Sequence, residues 1–334
     1  MLKFIIRRLL FMVFIMVGIS ILLFMIMYKL PGDPARAAAG IRAKPEQVES
    51  VRRQLGLDKP LHIQYLTYIN NIFRGKLGTS VLTRKPVASE LKVYVPASFE
   101  LVLGAMLWVI FFGVPLGVFS ALKPGKLVDI FSRFITALGM GMPVFWIGLI
   151  AQMFLYGKLN ILPFGGRLSM GLIPPPNVTG LYTLDAIFMR DFNLFKDAFV
   201  HLLLPSFILA LPELAFISRL TQNSMIEVLQ MDYIIVARAK GLSEKRVVWI
   251  HALKNAFSAP MTMFSMQIGM LLGGTILVES IFSWGGLGYL IFQGILIRDF
   301  PMVMGGTLVI TFVFMVSNLF ADILYCYLDP RISY

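Results

Sequence analysis

Six apolar runs, separated by polar connections, set the pattern of this chain. They fall at residues 9–28, 99–122, 134–159, 199–217, 260–282 and 303–327. An α-helix needs a run of about 20 apolar residues to cross the hydrocarbon layer. A transmembrane barrel would instead show alternating segments of about ten residues, and the sequence shows no such alternation. The fold predicted is an all-α integral membrane protein with about six transmembrane helices. The first run follows Lys3, Arg7 and Arg8, as a signal peptide would. It is too long for a signal core and has no small-x-small cleavage site, so it reads as a retained anchor.

The long connection at 29–98 carries its own helical signals. Pro45 sits where a first-turn proline belongs, and Gly56 follows Leu55 as a helix stop. Tyr65, Leu66, Ile69, Ile72 and Phe73 then recur at helical spacing before Gly75. These features predict a small helical cap on the outer face. A second connection, 160–200, holds Pro174, Pro175 and Pro176 and reads as loop with a short helix near 184–189. A third, 283–301, contains Trp284-Gly-Gly-Leu-Gly288 and reads as dipping back toward the membrane. The chain divides accordingly into a cytoplasmic start and first span (1–28), an external segment (29–98) and a membrane core (99–334) with a cytoplasmic loop at 219–258.

Composition agrees with the runs. The chain is 57% hydrophobic and 14% charged, whereas average soluble domains are about a quarter charged. The net charge of +12 could point to nucleic acid. Many of the Lys and Arg residues instead flank spans and fill short loops, as the positive-inside rule requires of cytoplasmic loops. Lys123, Lys126 and Arg133 stand against Asp129 in one such loop. Arg219, Arg238, Lys240, Lys245, Arg246 and Lys254 outnumber Glu227, Asp232 and Glu244 in the other. Both chain ends are thereby expected in the cytoplasm. The single Cys326 supports neither an internal disulfide nor a cysteine metal cluster, and His62, His201 and His251 share no helical spacing. No metal site is expected.

The cytoplasmic stretch 232–256 is polar, basic and helical in pattern, broken once by Gly241. Residues 224–239 read as one helix, with Gly241 as the left-handed residue after it. Ser243 suits the cap of the next helix, with Glu244 at its positive end. Ala237, Ala239 and Gly241 would present a small-residue surface ringed by Arg238, Lys240, Lys245 and Arg246. A basic amphipathic helix on anionic lipid is the alternative. Lipid binding needs neither the glycine break nor the second helix.

Within the spans, Gly113 and Gly117, Gly269 with Gly273 and Gly274, and Gly139 with Gly141 have spacings that let helices approach closely. Pro115, Pro143, Pro205 and Pro212 imply bends, usable in a moving bundle and equally at home in a static one. Gln152, Glu213, Gln267, Glu279, Asn318 and Asp322 are polar groups in or near spans, where such groups face a cavity or a neighbouring helix. Gln267 and Asn318 suit either an interhelical hydrogen bond or a pathway wall. Glu279 and Asp322 are expected near span ends, within reach of water. There is no phosphate-binding Gly-rich loop, no paired catalytic acid and no His-Glu-x-x-His. Catalysis is not expected of this chain.

The sequence resembles the permease subunits of ATP-binding-cassette importers, specifically the dipeptide/oligopeptide/nickel branch and its dipeptide members. The hairpin is similar to that branch's EAA loop in Ala237-Arg-Ala-Lys-Gly-Leu-Ser243 and His251-Ala-Leu-Lys-Asn-Ala256. Further likenesses are Leu30-Pro-Gly-Asp-Pro34, Leu55-Gly-Leu-Asp-Lys-Pro-Leu61, Met142-Pro-Val-Phe-Trp146 and Ser224-Met-Ile-Glu-Val-Leu229. Glu279-Ser-Ile-Phe-Ser-Trp284, Arg298-Asp-Phe-Pro301 and Leu328-Asp-Pro-Arg331 extend them to the end of the chain. The general EAA pattern places a glutamate six residues before its glycine, and here that position is Ile235.

The resemblance implies a type I importer permease, half of a translocation pathway in a prokaryotic inner membrane. It implies a second permease, two ATPases that carry the ATP and Mg, and an extracytoplasmic binding protein. Ala237, Arg238, Ala239, Lys240, Gly241, Leu242 and Ser243 would couple to an ATPase. Pro143, Trp146, Gln267, Gly273, Glu279, Trp284 and Asn318 are the candidates for the pathway or its gate. Peptide is the expected cargo, with oligosaccharide, glutathione or nickel as alternatives within the same family. A self-powered secondary transporter, an intramembrane enzyme and a lipid-bound scaffold are the rival classes, and the sequence offers no coupling acids or catalytic pairs for the first two.

Overall fold

The computed structural model describes residues 2–29, 34–39, 43–54 and 56–328. The motif pieces at 30–33 and 329–331, and the stop at Leu55, lie outside the described residues. Helix α1 (Leu2–Lys29) is followed by α2 (Pro34–Ala39), α3 (Pro45–Gln54) and α4 (Leu61–Phe73). These are helices of the kind expected for segment 29–98. Gly56 and Gly75 take φ of +68° and +71° behind α3 and α4, the left-handed region that glycine enters without steric cost.

Helix α5 (Val87–Trp108) continues through a π turn into α6 (Val114–Leu122), and α7 (Leu127–Gly141) and α8 (Val144–Gln152) come next. A short α9 (Tyr182–Phe188) precedes α10 (Phe192–Leu229), the longest helix at 38 residues. Helices α11 (Asp232–Ala239), α12 (Glu244–Arg246) and α13 (Leu253–Ala256) form the polar hairpin. Helices α14 (Ser258–Ile281), α15 (Leu287–Ile297) and α16 (Phe300–Leu328) complete the described chain.

Two helices expected to be continuous are broken. The third apolar run is not one straight span: α7 and α8 meet at 110°. Pro143 lacks an amide hydrogen and disfavours helical geometry in the residue before it, and Met142 is extended at φ −119°, ψ 144°. Likewise 224–239 is two helices, because α10 stops at Leu229 and Met231 is extended at φ −74°, ψ 146°. Asp232 opens α11, where its charge favours a helix start. Among the described residues four helices are long and apolar enough to cross a membrane, or five if the bent pair is one span. Helix α14 adds a shorter apolar stretch, Gly269–Ile281.

Helix α10 is the hub. It touches α5, α6, α7, α8, α9 and α14, and Leu101, Val102, Ala105, Ile208, Leu214, Ile217, Leu271 and Val278 fill the space between them. Lipid tails are as apolar as leucine, so helices in a membrane associate through close packing rather than hydrophobic burial. Gly117 on α6 shows that closeness: a β-carbon there would lie 2.7 Å from Thr221 Cβ and collide with the Ser218 carbonyl. Gly139 on α7 sits equally tight against α10, with Ala215 Cβ 2.9 Å away from such a carbon. Gly141, Gly273 and Gly274 meet nothing within 4 Å, so the expected close approach does not occur at those three.

Helix α1 packs on α16. Arg8 bridges Asp322 at 2.7 Å, which brings the start of α1 beside the end of α16. Asp322, expected near water, is a mostly covered ion-pair partner with 15% exposure.

Gly117→Val is expected to destabilise the protein by about 1–3 kcal/mol, the usual cost of overpacking. Gly141→Ala, at an open position, is expected to leave the melting temperature in detergent unchanged. Equal melting temperatures for the two variants would contradict the tight α6–α10 seam.

Candidate functional site

The hairpin is not a loop hung in solvent. Ile234 and Ala237 of α11, with Val247, Val248 and Ala252 of the π turn after α12, are buried against Val118 and Ala121 of α6 and Met225 and Val228 of α10. The sequence produces this by placing an apolar residue on the inner side of each short helix. Phe119 and Trp249 add an edge-on ring contact at 5.9 Å, and Asn255 donates to the Tyr233 hydroxyl at 2.7 Å.

The turn between α11 and α12 has the expected geometry. Gly241 takes φ +77° and its N–H donates to the Arg238 carbonyl at 2.9 Å. Ser243 stands at the start of α12 without a side-chain capping bond. Arg238 instead closes the turn by reaching Glu244 at 2.7 Å. Arg238, Ala239, Lys240, Gly241 and Ser243 are exposed, and Leu242 is half-buried. Ala237 is a correction to the expected small-residue surface, because its side faces α6 and α10. Sequence reasoning also missed the apolar flank of the tip: Ile235 and Val236 on α11 and Ile250 after α12 are 49–56% exposed. Ile235 occupies the position where the general pattern has a glutamate, which was the available signal.

The pathway candidates are spread over the membrane core. Trp146 is 47% exposed on α8, just past the bend at Pro143. Gly273 lies on an open face of α14. Gln267 has a buried Oε1 with no partner among the described residues. Asn318 faces Gly269 of α14, 3.4 Å from where a β-carbon would stand, and so lies at the α14–α16 seam.

Glu279 and Trp284 form a different kind of site. Glu279, expected near water, is fully buried. Its carboxyl group accepts from Ser98 Oγ on α5 and from the Tyr289 amide at 2.8 Å, and so sits at the N-terminus of α15. Gly286 and Gly288 leave the room it needs, since a β-carbon at Gly286 would overlap the carboxyl group. Trp284 is 1% exposed and donates to the Ala97 carbonyl at 2.8 Å.

Three further buried carboxylates were not foreseen as a group. Glu100 of α5 pairs with Arg167 at 2.6 Å and accepts from the Thr183 amide at 2.8 Å and hydroxyl at 2.7 Å. Arg167 also donates to the Gly180 carbonyl and lies over the Tyr182 ring at 3.5 Å. Asp185 accepts from the Thr179 and Gly180 amides. Asp299 binds Ser80 and the Leu82 and Met302 amides. Together they pin connections 77–86 and 159–191 to α5 and α16. Helix α4 is pinned too: Tyr65 bonds Ser20 of α1 at 2.9 Å, and Phe24 lies against both Tyr65 and Tyr68. Burial, with Tyr65 beside it, pushes the Tyr68 phenol up from its ordinary pKa.

At the hairpin end, Asp129 accepts from the Gly125 amide, Arg133 and Gln222, tying the α6–α7 turn to α10. Arg167→Met is expected to cost about 3–5 kcal/mol by stranding the Glu100 charge. The check is thermal unfolding in detergent, together with faster proteolysis of segment 159–181. An unchanged melting temperature would mean that the pair contributes no stability.

Comparison with known proteins gives the same outline along the whole chain. Residues 113–334 match the family described as binding-protein-dependent transport system inner membrane component, and residues 1–88 match the N-terminal membrane component of such systems. The chain is 41% identical to a probable D,D-dipeptide transport system permease protein of Escherichia coli K12, over 96% of this chain and 95% of that one. It is 40% identical to a dipeptide transport system permease protein of Alkalihalophilus pseudofirmus over all of both chains. A di/tripeptide transport system permease protein of Pseudomonas aeruginosa is 41% identical over 100% of this chain and 99% of its own. On this evidence the chain belongs to the family of inner membrane components of binding-protein-dependent transport systems.

Proposed function

We propose that this chain is a permease subunit of an ATP-driven importer of short peptides, forming one half of the translocation pathway. The chain is a transport subunit without catalysis of its own; ATP and Mg belong to two partner ATPases. A second, similar permease completes the pathway, and an extracytoplasmic binding protein delivers peptide to the face carrying α2, α3 and α4. Six crossings, with α14 and the bent α7–α8 pair each counted once, put both chain ends and the hairpin on one side in this reading, and the basic short loops favour the cytoplasm for that side. The peptide assignment draws on three relatives of full length whose names all specify di- or tripeptides.

The observation that carries the mechanism is the seating of the hairpin. Its apolar underside is packed on the ends of α6 and α10, while its basic tip projects outward. A subunit that clasps the tip therefore pulls on the hub helix of the membrane core. Closure of the ATPases on ATP moves α11 and α12, and the spans rock as bodies between inward- and outward-facing states. The exposed apolar residues Ile235, Val236 and Ile250 beside the tip give a partner surface to bury; the cations around Gly241 orient it.

Gly241→Pro removes the amide that holds the turn and forces φ away from +77°. Arg238→Glu with Lys240→Glu reverses the tip charge and sets a second carboxylate against Glu244. Both variants are expected to insert in the membrane normally and to lose import by roughly tenfold, within the range that a coupling energy of 1–3 kcal/mol supports, while ATP hydrolysis continues. The measurement is dipeptide uptake per ATP hydrolysed in proteoliposomes holding the full complex. Wild-type uptake in both variants would remove the hairpin from the mechanism.

A further inference from the structure

Helix α10 is buried on one side only along its inner half. At about 100° per residue, Leu214, Ile217, Ser218, Thr221 and Met225 share the covered side, and all five are buried. Pro212, Glu213, Phe216, Arg219, Leu220 and Asn223 share the opposite sector, and none of them is buried. Glu213, half-buried, and Arg219, exposed, flank Phe216 in that sector. Neither Glu213 nor Arg219 has a hydrogen-bond or ion-pair partner among the described residues.

This is the reverse of the treatment given to the other acids of the core. Glu100, Asp129, Glu279 and Asp322 each hold a named partner, as ionisable groups in membrane proteins must when they face protein. A sector with a carboxylate unpaired among the described residues is also a poor surface for lipid tails, since a charge in hydrocarbon is costly. The sector is therefore turned toward the pathway shared with the second permease rather than toward lipid.

We propose that Glu213 and Arg219 form a transit subsite for a zwitterionic di- or tripeptide, Glu213 receiving the α-ammonium group and Arg219 the terminal carboxylate. The inference rests on the peptide-import reading above and gives that pathway its first chemically specified residues. The spacing fits. Six residues of helix put the two Cα atoms about 9 Å apart along the axis, and an extended di- or tripeptide spans about 7–11 Å. Phe216, half-buried between them, leaves an apolar floor for peptide side chains of differing size. Selection by the two termini rather than by side chains suits a carrier of varied short peptides.

The test uses the full complex in proteoliposomes, supplied with peptide-loaded binding protein, and reads peptide imported per ATP hydrolysed. Glu213→Gln and Arg219→Gln are each expected to lower that ratio about tenfold, the worth of one charge-assisted hydrogen bond. Glu213→Asp, which keeps the charge, is expected to recover most of it. The charge exchange Glu213→Arg with Arg219→Glu is expected to transport better than either Gln variant. Wild-type ratios in both Gln variants overturn the subsite. So does an equal loss in Glu213→Asp and Glu213→Gln, which would mark a structural role. Failure of the wild-type complex to import any di- or tripeptide would instead strike the functional reading itself.

Discussion

The seam between the hairpin and the inner ends of α6 and α10 is the contact on which the rest of the account depends. Ile234, Ala237, Val247 and Val248 are buried there, so α11 and the turn after α12 are packed directly on α10. Because α10 in turn touches most of the core helices, a displacement of the tip is shared through the bundle. The packing reason is the same at both levels. Small residues such as Gly117 and Gly139 bring backbones so close that neighbouring helices cannot slide independently.

The outer end is built on a different principle. There, irregular connections are fastened by buried carboxylates, each satisfied by amides, hydroxyls or one arginine. Glu279 joins α14, α5 and the start of α15; Glu100 and Asp185 hold segment 159–191; Asp299 holds the turn before α5. Such groups are costly to break once buried, because the remaining partner is stranded. The molecule thus joins a close-packed half at the hairpin end to an opposite half whose loops are individually anchored.

Much of this was legible in the sequence. The apolar runs identified the long helices, and Pro45, Gly56, Gly75 and Gly241 marked helix starts and turns that the structure contains. The failures share a cause. Periodicity reports which residues are apolar, not where the backbone bends, so the 110° turn at Pro143 and the break at Met231 were hidden within continuous patterns. Glu279 looked like a span-end residue in contact with water because its partners, Ser98 and the Tyr289 amide, come from other elements. Glu100 and Arg167, 67 positions apart in sequence, gave no local sign of pairing. Ala237 proved to be buried rather than presented, since small residues at every second position cannot say which side of a short helix faces inward.

The central claim is that an ATP-hydrolysing partner grips the tip of the hairpin. The most direct measurement is site-specific crosslinking from Ala239→Cys, in a chain whose single native cysteine is replaced as Cys326→Ser, within the assembled and importing complex. Ala239 is exposed at the end of α11. The account predicts a crosslink to the ATP-hydrolysing subunit. A complex that imports peptide while position 239 reaches only lipid would contradict it.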